Sequence, residues 1–211
     1  TLSVVDGAGA PAAQSASVRG APDDEAGQFV DVIETSTAEV WAELFEQSGQ
    51  TYEPPAAMVL YEQATGTRCG TGQAAMGPFY CPADRSVYLD LSFWDDLENK
   101  FGAGGEAARA YVIAHEIAHH VQSLTGQMDQ ARRLGSQGAE SGAVRLELQA
   151  DCYAGVWAAR AEAASGGAVA LGPDDIAEGL AAASAIGDDT LQRQSQGRVV
   201  PAAFTHGSSA Q

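Results

Sequence analysis

Tyr111-Val112-Ile113-Ala114-His115-Glu116-Ile117-Ala118-His119-His120-Val121-Gln122 is the stretch around which the chain is organised. It contains His-Glu-x-x-His, with His115 and His119 four residues apart. On an α-helix that spacing puts both imidazoles on one face, about one turn apart. Ala, Val, Ile and Tyr flank the motif, and neither Pro nor Gly occurs from Ala107 to Thr125. Gly126 then suits a C-terminal cap. Two imidazoles so placed bind one Zn²⁺, and Glu116 between them reaches a water on that metal as general base. A catalytic zinc takes a third protein ligand and keeps one position open. The motif therefore demands a further donor elsewhere.

That donor is sought in a second helical run, Val144-Arg145-Leu146-Glu147-Leu148-Gln149-Ala150-Asp151-Cys152-Tyr153-Ala154-Gly155-Val156-Trp157. Glu147 and Asp151 are again four apart, so their carboxylates share a face. Glu147 is positioned to complete a His₂Glu set. Asp151, one turn on, is positioned to accept the free ring N–H of a ligand histidine, which sets the tautomer and raises ligand basicity. A His-Glu-x-x-His helix followed by a Glu-x-x-x-Asp helix resembles the arrangement of gluzincin metallopeptidases.

A narrower resemblance is to the bacterial neutral zinc metallopeptidase family. It is carried by Cys69-Gly70, Gly77-Pro78-Phe79-Tyr80-Cys81-Pro82, Val87-Tyr88-Leu89-Asp90, residues 110–122 and 145–157, Gly187-Asp188-Asp189 and Phe204-Thr205-His206-Gly207. It runs from about Asp24 to the end. The resemblance implies an enzyme tethered by an N-terminal membrane helix, at the periplasmic or extracellular face of a bacterial inner membrane. Family members usually begin with a Gly-rich piece and that helix, and continue past Gln211 with a basic, aromatic segment. Neither is present here, so the chain is expected to be a trimmed fragment.

Composition narrows the function classes. The 211 residues suffice for one domain with a sizeable core. A net charge of −17, with Lys100 the only lysine, would repel nucleic acid and anionic membranes. No stretch is long and apolar enough to span a bilayer, and no signal peptide is visible. Cys69 and Cys81 flank a Gly-rich loop and are placed to close it as a disulfide, which implies an oxidising compartment. The rival reading, zinc ligation by this pair, matches no common zinc spacing. Cys152 is expected to be a small buried side chain.

Taken in order, residues 1–22 are rich in Ala, Gly and Ser and predict a flexible linker. The catalytic domain is expected over 23–211. Residues 23–47 predict an amphipathic helix or helix pair through Phe29, Val32, Ile33, Val40, Trp41, Leu44 and Phe45. Met58 to Tyr61 and Val87 to Leu91 predict short strands. The resemblance to metallopeptidases implies that the second, just before the zinc helix, forms the upper edge of a cleft where an extended substrate adds a strand, with Gly77-Pro78-Phe79-Tyr80 at the rim. Residues 127–141 predict a mobile connection. Pro173 opens a further helix, Gly187-Asp188-Asp189 breaks it, and Thr205-His206-Gly207 forms a turn.

The fold class expected is α+β, mainly helical and zincin-like, with a small sheet. The function expected is hydrolysis of a peptide or protein by a zinc-activated water. His115, His119 and Glu147 hold the metal, Glu116 is the base, and Asp151 supports a ligand histidine. His120, about 100° round the helix from His119, is read as structural or surface. His206, the remaining histidine, is assigned a donor role toward the oxyanion, against the plainer reading of a histidine bonded within its own turn. Two other classes stay open: a zinc amidase acting on cell-wall peptides, and a non-catalytic zinc scaffold.

Overall fold

In the computed structural model the description covers residues 3–4, 17–20, 23–73, 77–100, 102 and 104–211. The element order is β1 (Ser3–Val4), β2 (Ser17–Arg19), α1 (Glu25–Gln47), β3 (Ala57–Tyr61), β4 (Ala64–Thr67), β5 (Gly70–Gln73), β6 (Phe79–Cys81) and β7 (Ser86–Asp90). Then come α2 (Ser92–Asn99), α3 (Glu106–Leu124), α4 (Gln127–Arg132), α5 (Gly142–Ala164), β8 (Val169–Ala170), α6 (Pro173–Ala185), α7 (Asp188–Gln196) and a 3₁₀ turn (Pro201–Ala203). Helices dominate and the sheets are small, an α+β chain with its helices around α3.

Helix α3 packs against α1, α5 and α6. Its buried Ala108, Ala110, Ala114 and Ala118 let neighbouring helices approach closely, while Ile113, Ile117 and Val121 fill the space between them. Each of these branched side chains contributes roughly 1.5–3 kcal/mol by leaving water. The N-terminus of α3 begins at Gly105, which offers no capping side chain. Glu178 of α6 supplies the acceptor instead, taking the Ala108 N–H at 3.2 Å. Gly105 leaves room for this carboxylate, because a Cβ there would lie 2.0 Å from Glu178 Oε1 and displace it. At the other end of the layer, Asp24 caps α1 by accepting from Gly27 N–H at 2.8 Å, and α1 runs as one helix rather than a pair. Trp157 Nε1–H donates to Ser36 Oγ at 3.1 Å and ties α5 to α1.

The main sheet has the order β2-β3-β7-β6, parallel from β2 to β7 and antiparallel at β6. Two expectations change here. The linker predicted through residue 22 contains β2, in which Ser17–Arg19 pair with Ala57–Val59. Three residues are too few to show a period, so only the pairing reveals them. That linker also contains β1, in which Ser3 and Val4 pair with Ala170 and Val169; its residues 1–2, 5–16 and 21–22 lie outside the described residues. The strand expected to be the cleft edge, β7, is an inner strand flanked by β3 and β6. All five of its residues are buried, which removes the alternation by which a half-exposed strand is read. Among the described residues the edges are β6, next to β7, and β2 at the far side. In addition, the connection predicted over 127–141 opens with helix α4.

Candidate metal centre

His115 and His119 project from α3 with ring centroids 4.8 Å apart. Glu147 arrives from α5, whose N-terminus is capped by Ser141 accepting from Val144 N–H at 3.3 Å. Gly142 lets α5 start against α4, since a Cβ there would lie 1.8 Å from the Ala131 carbonyl oxygen. Glu147 Oε2 then lies 3.1 Å from His115 Nε2 and 3.5 Å from His119 Nε2. One donor atom from each of the three residues falls within 4.8 Å of the others. Atoms each 2.0–2.1 Å from a tetrahedral zinc stand about 3.3 Å from one another. The donor set therefore fits that ion in both type and spacing.

The outer hydrogen bonds hold the rings in the required tautomer. Asp151 Oδ1 lies 2.8 Å from His115 Nδ1. A carboxylate only accepts, so Nδ1 carries a hydrogen, which leaves Nε2, 3.1 Å from Glu147 Oε2, as the nitrogen that would face a metal. Tyr111 O–H donates to the same oxygen at 2.5 Å. His119 Nδ1 meets Gln122 Oε1 at 2.9 Å. The amide nitrogen of Gln122 donates to the Leu146 carbonyl at 2.7 Å and to Gln149 Oε1 at 3.1 Å, which fixes the orientation of that amide. Tyr111 and Gln122 were not singled out in the sequence. The signal was available: they sit four residues before His115 and three after His119, on the face the imidazoles occupy.

The charges follow from burial and these bonds. Burial lowers the His115 imidazole, but hydrogen bonds to Asp151 and Glu147 outweigh it and hold its pKa well above the usual value. Burial pushes the Glu147 carboxyl up, yet bonds from His115 and His119 bring it far below the usual carboxylate range. Glu116 is only 7% exposed. Burial raises its carboxyl, against the opposing pull of His119 and His115. A cavity of about 1170 Å³ opens onto this group, with Tyr111, Glu116, Leu148, Ile176 and His206 among its lining.

His120, adjacent to His119, points away into the core. It is fully buried. Its Nε2 lies 2.7 Å from the Glu53 carbonyl and its Nδ1 3.1 Å from Tyr80 Oη. This bond ties β6 to α3, and residues 77–80 line the cavity. Cys69 and Cys81 form a disulfide that joins the tight β4–β5 hairpin to β6. Cys152 is exposed, contrary to the expectation of burial: it sits on α5 one position beyond Asp151 and faces outward. His206 lies at the cavity wall, but its ring is largely exposed and its Nδ1 is 2.9 Å from Thr205 Oγ1.

A helical core presenting two imidazoles and a carboxylate to one cavity defines an α+β protein with a candidate zinc site. The family described as "Putative neutral zinc metallopeptidase" matches residues 3–211, and the chain belongs to it. "Uncharacterized protein YpfJ" of Escherichia coli (strain K12) is 49% identical over 209 residues, 96% of this chain and 71% of that protein. "Uncharacterized protein Rv2575" of Mycobacterium tuberculosis is 48% identical over 161 residues, 73% of this chain and 55% of that protein. No solved structure matches the chain.

Proposed function

We propose that the protein is a zinc peptidase of zincin-like architecture, with His115, His119 and Glu147 as metal ligands. The observation that carries this reading is the convergence of one donor atom each from His115, His119 and Glu147 within 4.8 Å, beside the buried Glu116. Zinc, when bound, acidifies water and polarises a carbonyl, and so supplies the electrophile that amide hydrolysis needs. Glu116 takes the proton of the attacking water and returns it to the leaving amine. Asp151 and Gln122 hold the ligand rings, and Tyr111 holds Asp151. His206 donates to the oxyanion that forms as the carbonyl is attacked.

The substrate is an extended peptide that adds to the free edge of β6. Support comes from the sheet order, which leaves β6 at one edge among the described residues, and from the place of Gly77 to Tyr80 on the cavity wall, which the other edge strand, β2, does not line. Ile176 and Leu180, 40% and 65% exposed, add apolar surface to that wall. The Cys69–Cys81 bond favours an oxidising location such as the periplasm or the outer face of the membrane. Among the described residues no helix is long and apolar enough to cross a membrane; an N-terminal anchor is the attachment this reading proposes. The net charge of −17 argues against nucleic acid as a partner.

The test is metal analysis of the purified protein together with peptide hydrolysis by wild type and Glu116→Gln. One zinc per chain is expected in both, with cleavage only by the wild type. A protein that neither contains nor takes up zinc sinks the reading. Zinc retained with wild-type cleavage in Glu116→Gln removes Glu116 as the base.

A further inference from the structure

We propose that the Gly187-Asp188-Asp189 corner is a positioning device: it anchors the segment from Thr205 to Ser209 and thereby sets where His206 stands at the cavity. The kinetic consequence rests on the peptidase reading above; the anchor itself does not.

An acid in the first turn of a helix commonly serves its own helix. Asp188 does something else. Its Oδ2 accepts from the backbone N–H groups of three consecutive residues, Thr205 at 2.6 Å, His206 at 2.6 Å and Gly207 at 3.0 Å. Its own N–H donates to the Gly207 carbonyl at 2.8 Å. Asp189 grips the next stretch: Oδ1 accepts from Ser209 N–H at 2.6 Å, and Oδ2 accepts from Ser209 O–H at 2.9 Å and from Arg193 at 2.6 Å. Bonds to an ionised acceptor are roughly twice as strong as neutral ones. Both residues are buried, and their side chains are 12% and 9% exposed. Gly187 makes room for the segment, since a Cβ there would stand 2.6 Å from Ser209 N.

The other side of the segment meets the ligand helix. Gly207 has φ +96°, a conformation that other residues rarely adopt. A Cβ at Gly207 would lie 3.3 Å from Val144 Cγ1 and 3.4 Å from Leu148 Cδ2, residues that bracket Glu147 on α5. Phe204 is buried, and its carbonyl accepts from Gly138 N–H at 2.9 Å. The backbone around His206 is thus clamped between α7 and α5. Its ring is held from within the segment, by Thr205 Oγ1 at 2.9 Å from Nδ1, and not by the clamp itself: the side chain is 62% exposed, and Asp188 Oδ1 is 3.7 Å from Nδ1, beyond hydrogen-bond reach. The position of the imidazole follows from the anchored backbone. This accounts for two separated sequence motifs, Gly-Asp-Asp and Thr-His-Gly, as halves of one device.

The experiment compares wild type with Asp188→Ala in the zinc-loaded protein. Native-state hydrogen exchange should show the amides of Thr205, His206 and Gly207 losing protection by tenfold or more, with the α3 core amides unchanged. Zinc content should stay at the wild-type level. On a peptide cleaved by the wild type, kcat should fall by about 10²-fold, as a misplacement near 1 Å produces, with KM little changed. Because Asp188 acts through His206, the double variant with His206→Ala should be no slower than His206→Ala alone. Unchanged exchange at 205–207 overturns the anchor. Losses that multiply in the double variant overturn the action through His206. If Asp188→Ala does not fold, Asp188→Asn, which keeps the shape and loses the charge, should show the same pattern at smaller size. A wild type that cleaves no member of a peptide library refutes the peptidase reading, and exchange at the three amides then decides the anchor by itself.

Discussion

Gln122 Oε1 meets Nδ1 of His119 at 2.9 Å, from three positions further along the same helix. The amide is held in turn by the Leu146 carbonyl on α5, at 2.7 Å. The helix bearing two of the donors and the helix bearing the third are therefore joined through one side chain. Gln122→Leu removes the acceptor while keeping the volume. It should weaken zinc binding by about 10- to 100-fold, the loss usual for an outer partner of a ligand histidine. Competition with a chromogenic chelator measures it, and an unchanged affinity would show that Gln122 serves packing alone.

Asp151→Asn tests the other imidazole. The carboxylate accepts from both His115 Nδ1 and Tyr111 O–H through one oxygen. The amide keeps one acceptor but loses the charge that raises the basicity of His115. Zinc affinity should fall by about 10- to 100-fold. Tyr111→Phe leaves the carboxylate in place and should cost less than Asp151→Asn. The reverse order in the chelator titration would make Tyr111 the dominant support.

His206→Ala should lower kcat by about 10²- to 10³-fold and leave KM nearly unchanged, because a donor to the oxyanion acts in the transition state. Steady-state kinetics on a cleaved peptide decide it. If kcat is retained while thermal stability drops, the ring serves only its own turn through Thr205.

The core histidine makes stability depend on pH. Burial lowers the His120 pKa from 6.5 to about 4, against the favourable bond to the Glu53 carbonyl. Between those values the unfolded chain takes up a proton that the folded chain refuses. Stability is therefore unaffected by this group above pH 6.5 and falls as pH drops toward 4. The full effect is of order 3 kcal/mol. Other groups titrate in the same range, so the measurement is the difference between wild type and His120→Gln over a pH series of melting temperatures. That difference should shrink on acidification. A constant offset would show that His120 is not the group being titrated.

Reduction of the Cys69–Cys81 bond should lower the melting temperature by several degrees. The bond closes a loop with a sequence separation of 12, and loops of that size confer about 3 kcal/mol by restricting the unfolded chain. Scanning calorimetry with and without reductant reads the shift. Free thiols at both positions in protein made in an oxidising compartment, seen by mass spectrometry, would contradict the pairing.

The sequence by itself determined the features that repeat within one helix. The placement of His115 with His119, and of Glu147 with Asp151, follows from 3.6 residues per turn, and the runs of Ala, Ile and Leu around them leave no competing local structure. Helix ends were also legible, because Asp24 and Pro173 act on their own first turns. What crosses between elements was not. A three-residue strand at Ser17–Arg19 exists only through its partner β3, and β6 rather than β7 is outermost only because of how the strands pair. Cys152 looks apolar as a residue type, yet the rotation of α5 that aims Glu147 and Asp151 at α3 turns the next position outward. Gln122 and Asp188 read as ordinary polar residues until α5 and the segment after Phe204 bring them their partners. Periodicity is encoded in neighbours along the chain; a hydrogen bond across 18 residues, such as that of Asp188 to His206, is decided by the packing that brings its two ends together.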